Sequence, residues 1–338
     1  MNKIYSYQFA EDIFKKITVL PGGKSHGLVM FLDWSGSMNG HLENTVKQLI
    51  NLILFCKKVN IPYEVYAFTS EYDNLYGYKF KEGDLKTHPF KLMNIFSSKM
   101  TSQEFVKASA AMVNMCRWRA FRPRFMGMGG TPLNEAIISA MEIVPQFQKQ
   151  YKLQVVNTVF LTDGDGHGVN TIYYTNADGH QTDGYGKVYD DRSSRVSRSL
   201  VIRDPITKEE VLCEHNRGRQ LTTHYIQMLK KRTNCNVVGF FVLSGREFGR
   251  EVFNFFPRTV DHDKIKVEFR KNKSVIVTSS GYDEYYLLRS EGLDTEEDAE
   301  MEVKENATTR GLVSAFSKYA GNRLSSRVVL NRFIGMIA

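Results

Sequence analysis

Unbroken apolar runs alternate along this chain with stripes of apolar residues at helical spacing. Residues 28–32 (LVMFL) form one such run, the pattern of a short strand buried on both faces. Beyond it Val46, Leu49, Ile50, Ile53 and Leu54 recur every three or four positions. They predict a helix to about Lys58, with Asn39 or Asn44 as its cap. Residues 63–68 (YEVYAF) predict the next strand. This is a strand–helix–strand unit, whose crossover is right-handed in nearly all known cases.

The alternation continues downstream. KLMNIF (91–96) predicts an edge strand and residues 102–116 a helix. FMGMGGTPLN (125–134) is a glycine-rich loop that leads into a helix over 133–144. VVNTVFL (155–161) is another buried strand, followed by a long polar stretch over 164–198. Residues 199–214 predict a hairpin turning at Asp204-Pro205, then come a helix over 218–233, a buried strand NVVGFFVL (236–243) and a helix over 246–256. Residues 263–288 alternate enough for two more strands. The fold class predicted is α/β: a doubly wound, mostly parallel sheet flanked by helices, with a β-rich insertion and a C-terminal helical extension. Its organisation would be an N-terminal segment 1–25, a domain 26–290 with an insertion at about 164–215, an acidic linker 291–305 and a basic amphipathic helical segment 306–338.

Charge sharpens this division. The 338 residues carry a net +8, but residues 291–305 alone carry −7, which leaves +15 on the remainder. A body so basic suits an acidic partner, nucleic acid or a phosphate-bearing surface, although a solvated basic face is the simpler explanation. Arg310, Lys318, Arg323, Arg327 and Arg332 give the last segment its charge, and Leu312, Phe316, Val329 and Phe333 give it an apolar side. That pairing reads as a helix docking on the body or on a partner. Nucleic-acid binding is weakly supported, because no stacking motif accompanies the basic residues. Cys56, Cys116, Cys213 and Cys235 lie far apart with no CxxC pair, so a reducing compartment is expected. The first residues, MNKIYSYQFAEDIFKK, lack the apolar core of a secretory signal, and no run approaches membrane-spanning length. A cytoplasmic location without membrane attachment is expected, in the host cytoplasm if the chain is phage-encoded.

In open α/β sheets, ligands bind beyond the carboxyl ends of the strands. Two aspartates stand there, Asp33 after the first strand and Asp163 after the strand 155–161. Ser35 and Ser37 follow Asp33 at alternate positions, and Thr131 sits in the glycine-rich loop. Two carboxylates and three hydroxyls, with no soft donor among them, suit a small hard cation such as Mg²⁺, with Mn²⁺ as a substitute. Gly127, Gly129 and Gly130 permit the tight path that brings Thr131 in.

Asp33-x-Ser35-x-Ser37, Gly130-Thr131-Pro132-Leu133 and Leu161-Thr162-Asp163-Gly164 resemble, in order, the three parts of the metal-ion-dependent adhesion site (MIDAS) of von Willebrand factor A (vWA) domains. The resemblance covers about residues 26–245. It implies that Ser35, Ser37 and Thr131 touch the metal, that Asp33 and Asp163 act mostly through water, and that a partner's glutamate or aspartate fills an open coordination position. It implies a binding device and no catalysis. The phrase HGLVMFLDWSGSM (26–38) is similar to the A-domain subunit of cobalt and magnesium chelatases and to proteins of large tailed phages. Such members work with a MoxR-like AAA+ ATPase. Chelatase subunits carry an acidic region ahead of the A domain, whereas the acidic stretch here follows it.

Other motifs fall away. His215 and His224 lack helical metal spacing, and no HExxH exists. The aspartates of 164–186 lack the calcium-loop pattern; Tyr173, Tyr174, Tyr185 and Tyr189 in that region would suit an interface. PGGKS (21–25) lacks the full phosphate-loop motif and precedes a strand. Two rival readings remain: a metal-dependent hydrolase, with His167 as the sequence-local base, and a structural phage or nucleic-acid-associated component.

Overall fold

The apolar run that opens the domain becomes β1 (His26–Asp33), and the computed structural model shows why it is unbroken. Leu28, Met30 and Leu32 point to one face of the sheet, and Val29 and Phe31 to the other. Successive side chains of a strand alternate in this way, so a strand covered on both faces needs apolar residues throughout. The structure describes residues 25–70, 85–86, 89–168, 171–175, 181–183, 200–213, 218–278, 281–290 and 329.

Among the described residues, β1 is followed by α1 (Leu42–Lys58), β2 (Tyr63–Thr69), β3 (Leu85–Lys86), β4 (Lys91–Ser97), α2 (Ser102–Arg117), α3 (Leu133–Tyr151) and β5 (Val155–Thr162). Then come β6 (Thr171–Thr175), β7 (Gln181–Asp183), β8 (Leu200–Arg203), β9 (Glu210–Cys213), α4 (Gly218–Thr233) and β10 (Asn236–Leu243). The last are α5 (Gly245–Phe255), α6 (His262–Asn272), β11 (Ser274–Val277) and β12 (Glu284–Arg289). Seven strands form one sheet in the order β11-β12-β10-β5-β1-β2-β4. The five inner strands are parallel, and the edge strands β4 and β11 run antiparallel. The α/β, doubly wound, mostly parallel architecture is therefore as the sequence predicts.

The chain leaves β1 toward β2 on one side and reaches β5 on the other, so the winding reverses between β1 and β5. That gap is where an open sheet of this kind leaves a crevice beyond its carboxyl ends. Leu32 pairs with Leu161 in register, so Asp33 and Thr162 emerge side by side at this point. α1 and α2 cover one face, with Val46, Leu49, Phe105 and Met112 in a core with Leu28 and Met30. α3 and α4 cover the other, with Ala136, Ile137, Leu221 and Ile226 against Val29 and Phe160. All four cysteines are buried and free.

Three local expectations need correction. The two strands expected over 263–288 are β11 and β12, but the first part of that span belongs to a helix, α6, over residues 262–272. Asp261 caps that helix by accepting from the N–H groups of Asp263 and Lys264 at 3.1 Å, a helix start signal. Phe269 then stacks on Phe248 of α5 with centroids 3.9 Å apart, while Val267 is left exposed. α3 runs on past Pro145 to Tyr151. A proline inside a helix costs about 3 kcal/mol, which the burial of Val144 and Phe147 on either side offsets. Neither Asn39 nor Asn44 caps α1; its N-cap is His41, preceded by a 3-10 turn over Ser37–Gly40. Asn39 instead accepts a hydrogen bond from Arg122 at 2.8 Å.

β6 and β7 join β3 in a small separate sheet, and β8 and β9 form the hairpin expected around Asp204. The linker 291–305 and the segment 306–338 lie outside the described residues, except Val329, which is buried in the same core cluster as Leu28. The N-terminal segment 1–24 and the rest of the 164–215 insertion also lie outside them.

Asp204 anchors the hairpin to α4. Its carboxylate accepts from Arg232 at 2.8 and 3.1 Å and from the N–H groups of Ile206 and Thr207. Burial pushes this carboxyl up, but the Arg232 and backbone hydrogen bonds outweigh it and hold it down at about 2. A depressed carboxyl stabilises the fold above its unfolded value and loses that contribution as pH falls through the folded one. Asp204→Asn is therefore expected to cost roughly 2 kcal/mol at neutral pH, and the gap from wild type should close as pH approaches about 2. Denaturant titration across pH measures this.

Candidate metal centre

Three loops build the site: those after β1 and β5, and the glycine-rich loop before α3, which lies against the end of β2. Asp33 is the last residue of β1 and is fully buried. Trp34 turns inward beside it: its ring is fully buried, its Nε1 donates to the Met126 carbonyl at 2.9 Å, and the Arg122 guanidinium lies over it. With Trp34 locked inside, Ser35 and Ser37 are directed to the outer edge, their Oγ atoms 3.0 Å apart. Ser37 opens the 3-10 turn, so the pair is set by a turn and not by the extended loop that the alternate spacing suggests.

The glycine-rich loop lies against this segment. Ser35 and Gly129 form an isolated parallel bridge, and the Gly36 N–H donates to the Gly129 carbonyl at 2.9 Å. From the other side, the ends of β2 hold the loop: Gly129 N–H donates to Thr69 Oγ1 at 2.8 Å and Gly130 N–H to Ser70 Oγ at 2.5 Å. A Cβ on Gly129 would stand 2.3 Å from the Ser70 carbonyl oxygen. Close approach, then, demands glycine here, and Gly127, Gly129 and Gly130 all keep negative φ. The result delivers Thr131, nearly buried, opposite the loop after β5.

Asp163 stands at the head of that loop, half-buried, and accepts from the Ser37 hydroxyl at 2.8 Å. Thr162, which sequence reasoning passed over, donates to Asp33 Oδ2 at 2.7 Å and also binds the Gly164 N–H. Farther along the loop, Asn134 donates to the His167 carbonyl and accepts from Thr222. Arg219, stacked on Phe255, pairs with Asp165 at 2.8 Å. His167 lies beside Gly130, and burial lowers the pKa of its imidazole. Thr162 and the Thr69-Ser70 pair share the signal that marked the serines: hydroxyls just where a buried strand gives out.

All five residues singled out from the sequence, Asp33, Ser35, Ser37, Thr131 and Asp163, thus meet at one edge of the sheet. Their electrostatics is unsettled. Asp33 Oδ1 is buried without a hydrogen-bond partner among the described residues. Burial first, and the charge of Asp163 in addition, push the Asp33 carboxyl up to about 7; hydrogen bonding by Thr162 and the nearby Ser35 and Thr131 hydroxyls only partly opposes this. Asp163 is raised too, chiefly by burial. An isolated buried carboxylate is costly, and two side by side disfavour each other's ionisation. A divalent cation relieves both penalties at once, and the donors are all hard oxygens. Among the described residues no cluster of three His, Cys, Asp or Glu side chains offers a softer alternative. Ser37 is exposed where Asp33 and Ser35 are not, so the cluster opens outward on that side.

These features define an α/β protein with a hydroxyl–carboxylate cluster at the reversal point of its sheet. No protein-family model matches the chain, and no curated protein does. Solved structures similar to it include the pilus adhesin SpaC from Lactobacillus rhamnosus GG in its open conformation, at 14% identity and a TM-score of 0.42, over 94% of this chain and 30% of that one. They also include the vWF domain of the type V pili tip protein Mfa5 from Porphyromonas gingivalis, at 9% identity and a TM-score of 0.32, over 65% of this chain and 81% of that one. This chain thus spans less than a third of the SpaC chain. The fold class rests on the seven-stranded sheet itself, and likenesses this distant carry no argument about the site.

A proton and a cation would compete for Asp33. A carboxyl raised in the folded state favours folding below its unfolded value, and that contribution is lost as pH rises through about 7. Added Mg²⁺ is therefore expected to raise the melting temperature by a few degrees, on the order of 2–3 kcal/mol near saturation, above pH 7 and by much less below it. Thermal melts at several pH values, with Asp33→Asn as the control that abolishes the difference, measure the effect.

Proposed function

We propose that the chain is a vWA protein that holds Mg²⁺, or Mn²⁺ in its place, at Asp33, Ser35, Ser37, Thr131 and Asp163. Through it the chain captures an aspartate or glutamate of a protein partner. The observation that supports this most is the buried Asp33 oxygen without a partner among the described residues, set among the Ser35 and Ser37 hydroxyls of its own loop and Thr131 and Asp163 from two others. When bound, the cation would supply an electrophilic position facing outward, which a carboxylate fills better than a neutral group. The chain's own residues do the rest. Trp34 fixes the serines, Gly129 lets the threonine loop approach, and Thr162 holds one Asp33 oxygen in place.

The arrangement favours binding over turnover. Ser35, Ser37 and Thr131 stand as oxygen donors around the two carboxylates, the set a hard cation takes. The wider context comes from the resemblance of residues 26–38 to chelatase-associated and phage A domains. It suggests a non-catalytic adaptor working with a MoxR-like AAA+ ATPase in a remodelling or chelatase-like complex. Among the described residues no helix is long and apolar enough to cross a membrane.

A pull-down from native lysate in Mg²⁺ tests the proposal. Partner proteins should elute with EDTA and should not be retained by Asp163→Ala. Retention through both treatments would contradict capture by a metal.

A further inference from the structure

From Phe105 to Asn134 the chain carries Lys107, Arg117, Arg119, Arg122 and Arg124 and not one acidic residue. Aromatic residues interleave with these arginines: Trp118, Phe121 and Phe125. In the fold this stretch forms the end of α2 and two 3-10 turns, Arg119–Phe121 and Arg124–Met126, leading straight into the glycine-rich loop. Trp118, Phe121 and Phe125 are about 60% exposed or more, an unusual state for three large rings so close in sequence. Phe121 and Phe125 border a cavity of about 490 Å³ whose floor includes Ile95, Met112, Met115 and Met126. Its lining is apolar except for Asn114.

This cavity is tied to the metal cluster by covalent and hydrogen-bonded links. Met126 forms part of its wall and accepts the Trp34 Nε1–H, and Trp34 is the residue between Asp33 and Ser35. Four residues separate Met126 from Thr131, at most about 18 Å of chain.

We propose that this cavity is a second contact of the metal-bound partner. It takes a Leu, Met or Phe side chain from an acidic protein segment whose carboxylate reaches the metal within about five residues. The inference rests on the metal reading above and specifies its partner. Charge decides the sign of that partner. Arg117 is paired with Glu43, and Arg122 turns inward to Asn39 and the Met115 carbonyl. Arg124, between the lining residues Pro123 and Phe125, is exposed and makes no ion pair among the described residues, so it is available to a further acid. The same facts disfavour a nucleic-acid strand. The apolar lining of the cavity would strand the polar edges of a base without partners. A flexible, methionine-lined pocket instead suits the apolar anchor of a peptide.

Panning a random peptide display library on the full chain in Mg²⁺ tests this. Enriched peptides are then measured by fluorescence polarisation with wild type, Ala111→Trp, Phe125→Ala and Arg124→Glu, in Mg²⁺ and in EDTA. Ala111 and Phe125 are exposed lining residues, so unchanged melting temperatures should accompany the substitutions. Enriched peptides should pair an acid with a Leu, Met or Phe within about five positions. Filling the cavity with Ala111→Trp should weaken them by about tenfold or more, and Phe125→Ala and Arg124→Glu by a smaller factor.

Four results would overturn the proposal: no enrichment, affinity indifferent to Ala111→Trp and Phe125→Ala, salt-sensitive binding of an oligothymidylate lost in Phe125→Ala, or a dimer dissolved by Ala111→Trp. The two readings fail differently. If only the metal reading is wrong, affinity is equal in Mg²⁺ and EDTA yet still falls in Ala111→Trp. If only the cavity reading is wrong, EDTA releases the peptide and Ala111→Trp changes nothing.

Discussion

A carboxylate has been carried into the interior at the one place where the sheet reverses its winding, and much of the surrounding structure can be understood as a response to it. Asp33 ends a fully buried strand, so water cannot solvate its charge. One oxygen is held by Thr162 and the other has no partner among the described residues. Such an arrangement is expensive for stability, and local strain or cost of this kind collects where function needs it. Among the described residues, the neighbouring loops do not neutralise the charge with a lysine or an arginine. They surround it with hydroxyls and a second carboxylate, a choice that lowers stability unless something positive and hard completes the cluster.

The supporting structure is correspondingly rigid. Trp34 fills the space beneath the serines and is fixed by its own hydrogen bond to Met126. Gly129 touches the end of β2 more closely than any side chain would allow. Asn134, Thr222 and the Asp165–Arg219 pair hold the third loop against α3 and α4. Three loops that share no sequence proximity are thereby placed within hydrogen-bond distance of one another, which is the preorganisation a metal-dependent contact requires. The exposed rings of Phe121 and Phe125 adjoin this frame through Met126, so the outer surface and the buried cluster are parts of one contiguous segment.

What could be read from the chain beforehand followed from periodicity and position. The buried strands were legible because both faces are covered, which forces unbroken apolar runs such as LVMFL and VVNTVFL. Asp33, Ser35, Ser37 and Asp163 were legible because hydroxyls and carboxylates after such strands have no packing reason to be there, and Thr131 from the glycine-rich loop that carries it. α6 was not, since its one deeply buried residue, Phe269, gives no helical stripe, and only the Asp261 cap betrays it. The extension of α3 past Pro145 was hidden because its packing overrides a local cost. Thr162 and Ser70 were missed since a lone hydroxyl beside a strand end is ordinary; their roles depend on register and on loop contacts between distant segments. The raised carboxyl of Asp33 depends on burial and on Asp163, which no local pattern carries.

The central claim is that these oxygens enclose a single hard divalent cation with one position left facing solvent. Crystals grown with Mn²⁺ and measured at its absorption edge test it directly. The account predicts one strong anomalous peak within coordination distance of the Ser35, Ser37 and Thr131 hydroxyls, with solvent or a carboxylate on its outer side. No peak at that position, with the three hydroxyls turned to other protein atoms at saturating Mn²⁺ and a pH above 7, would contradict it.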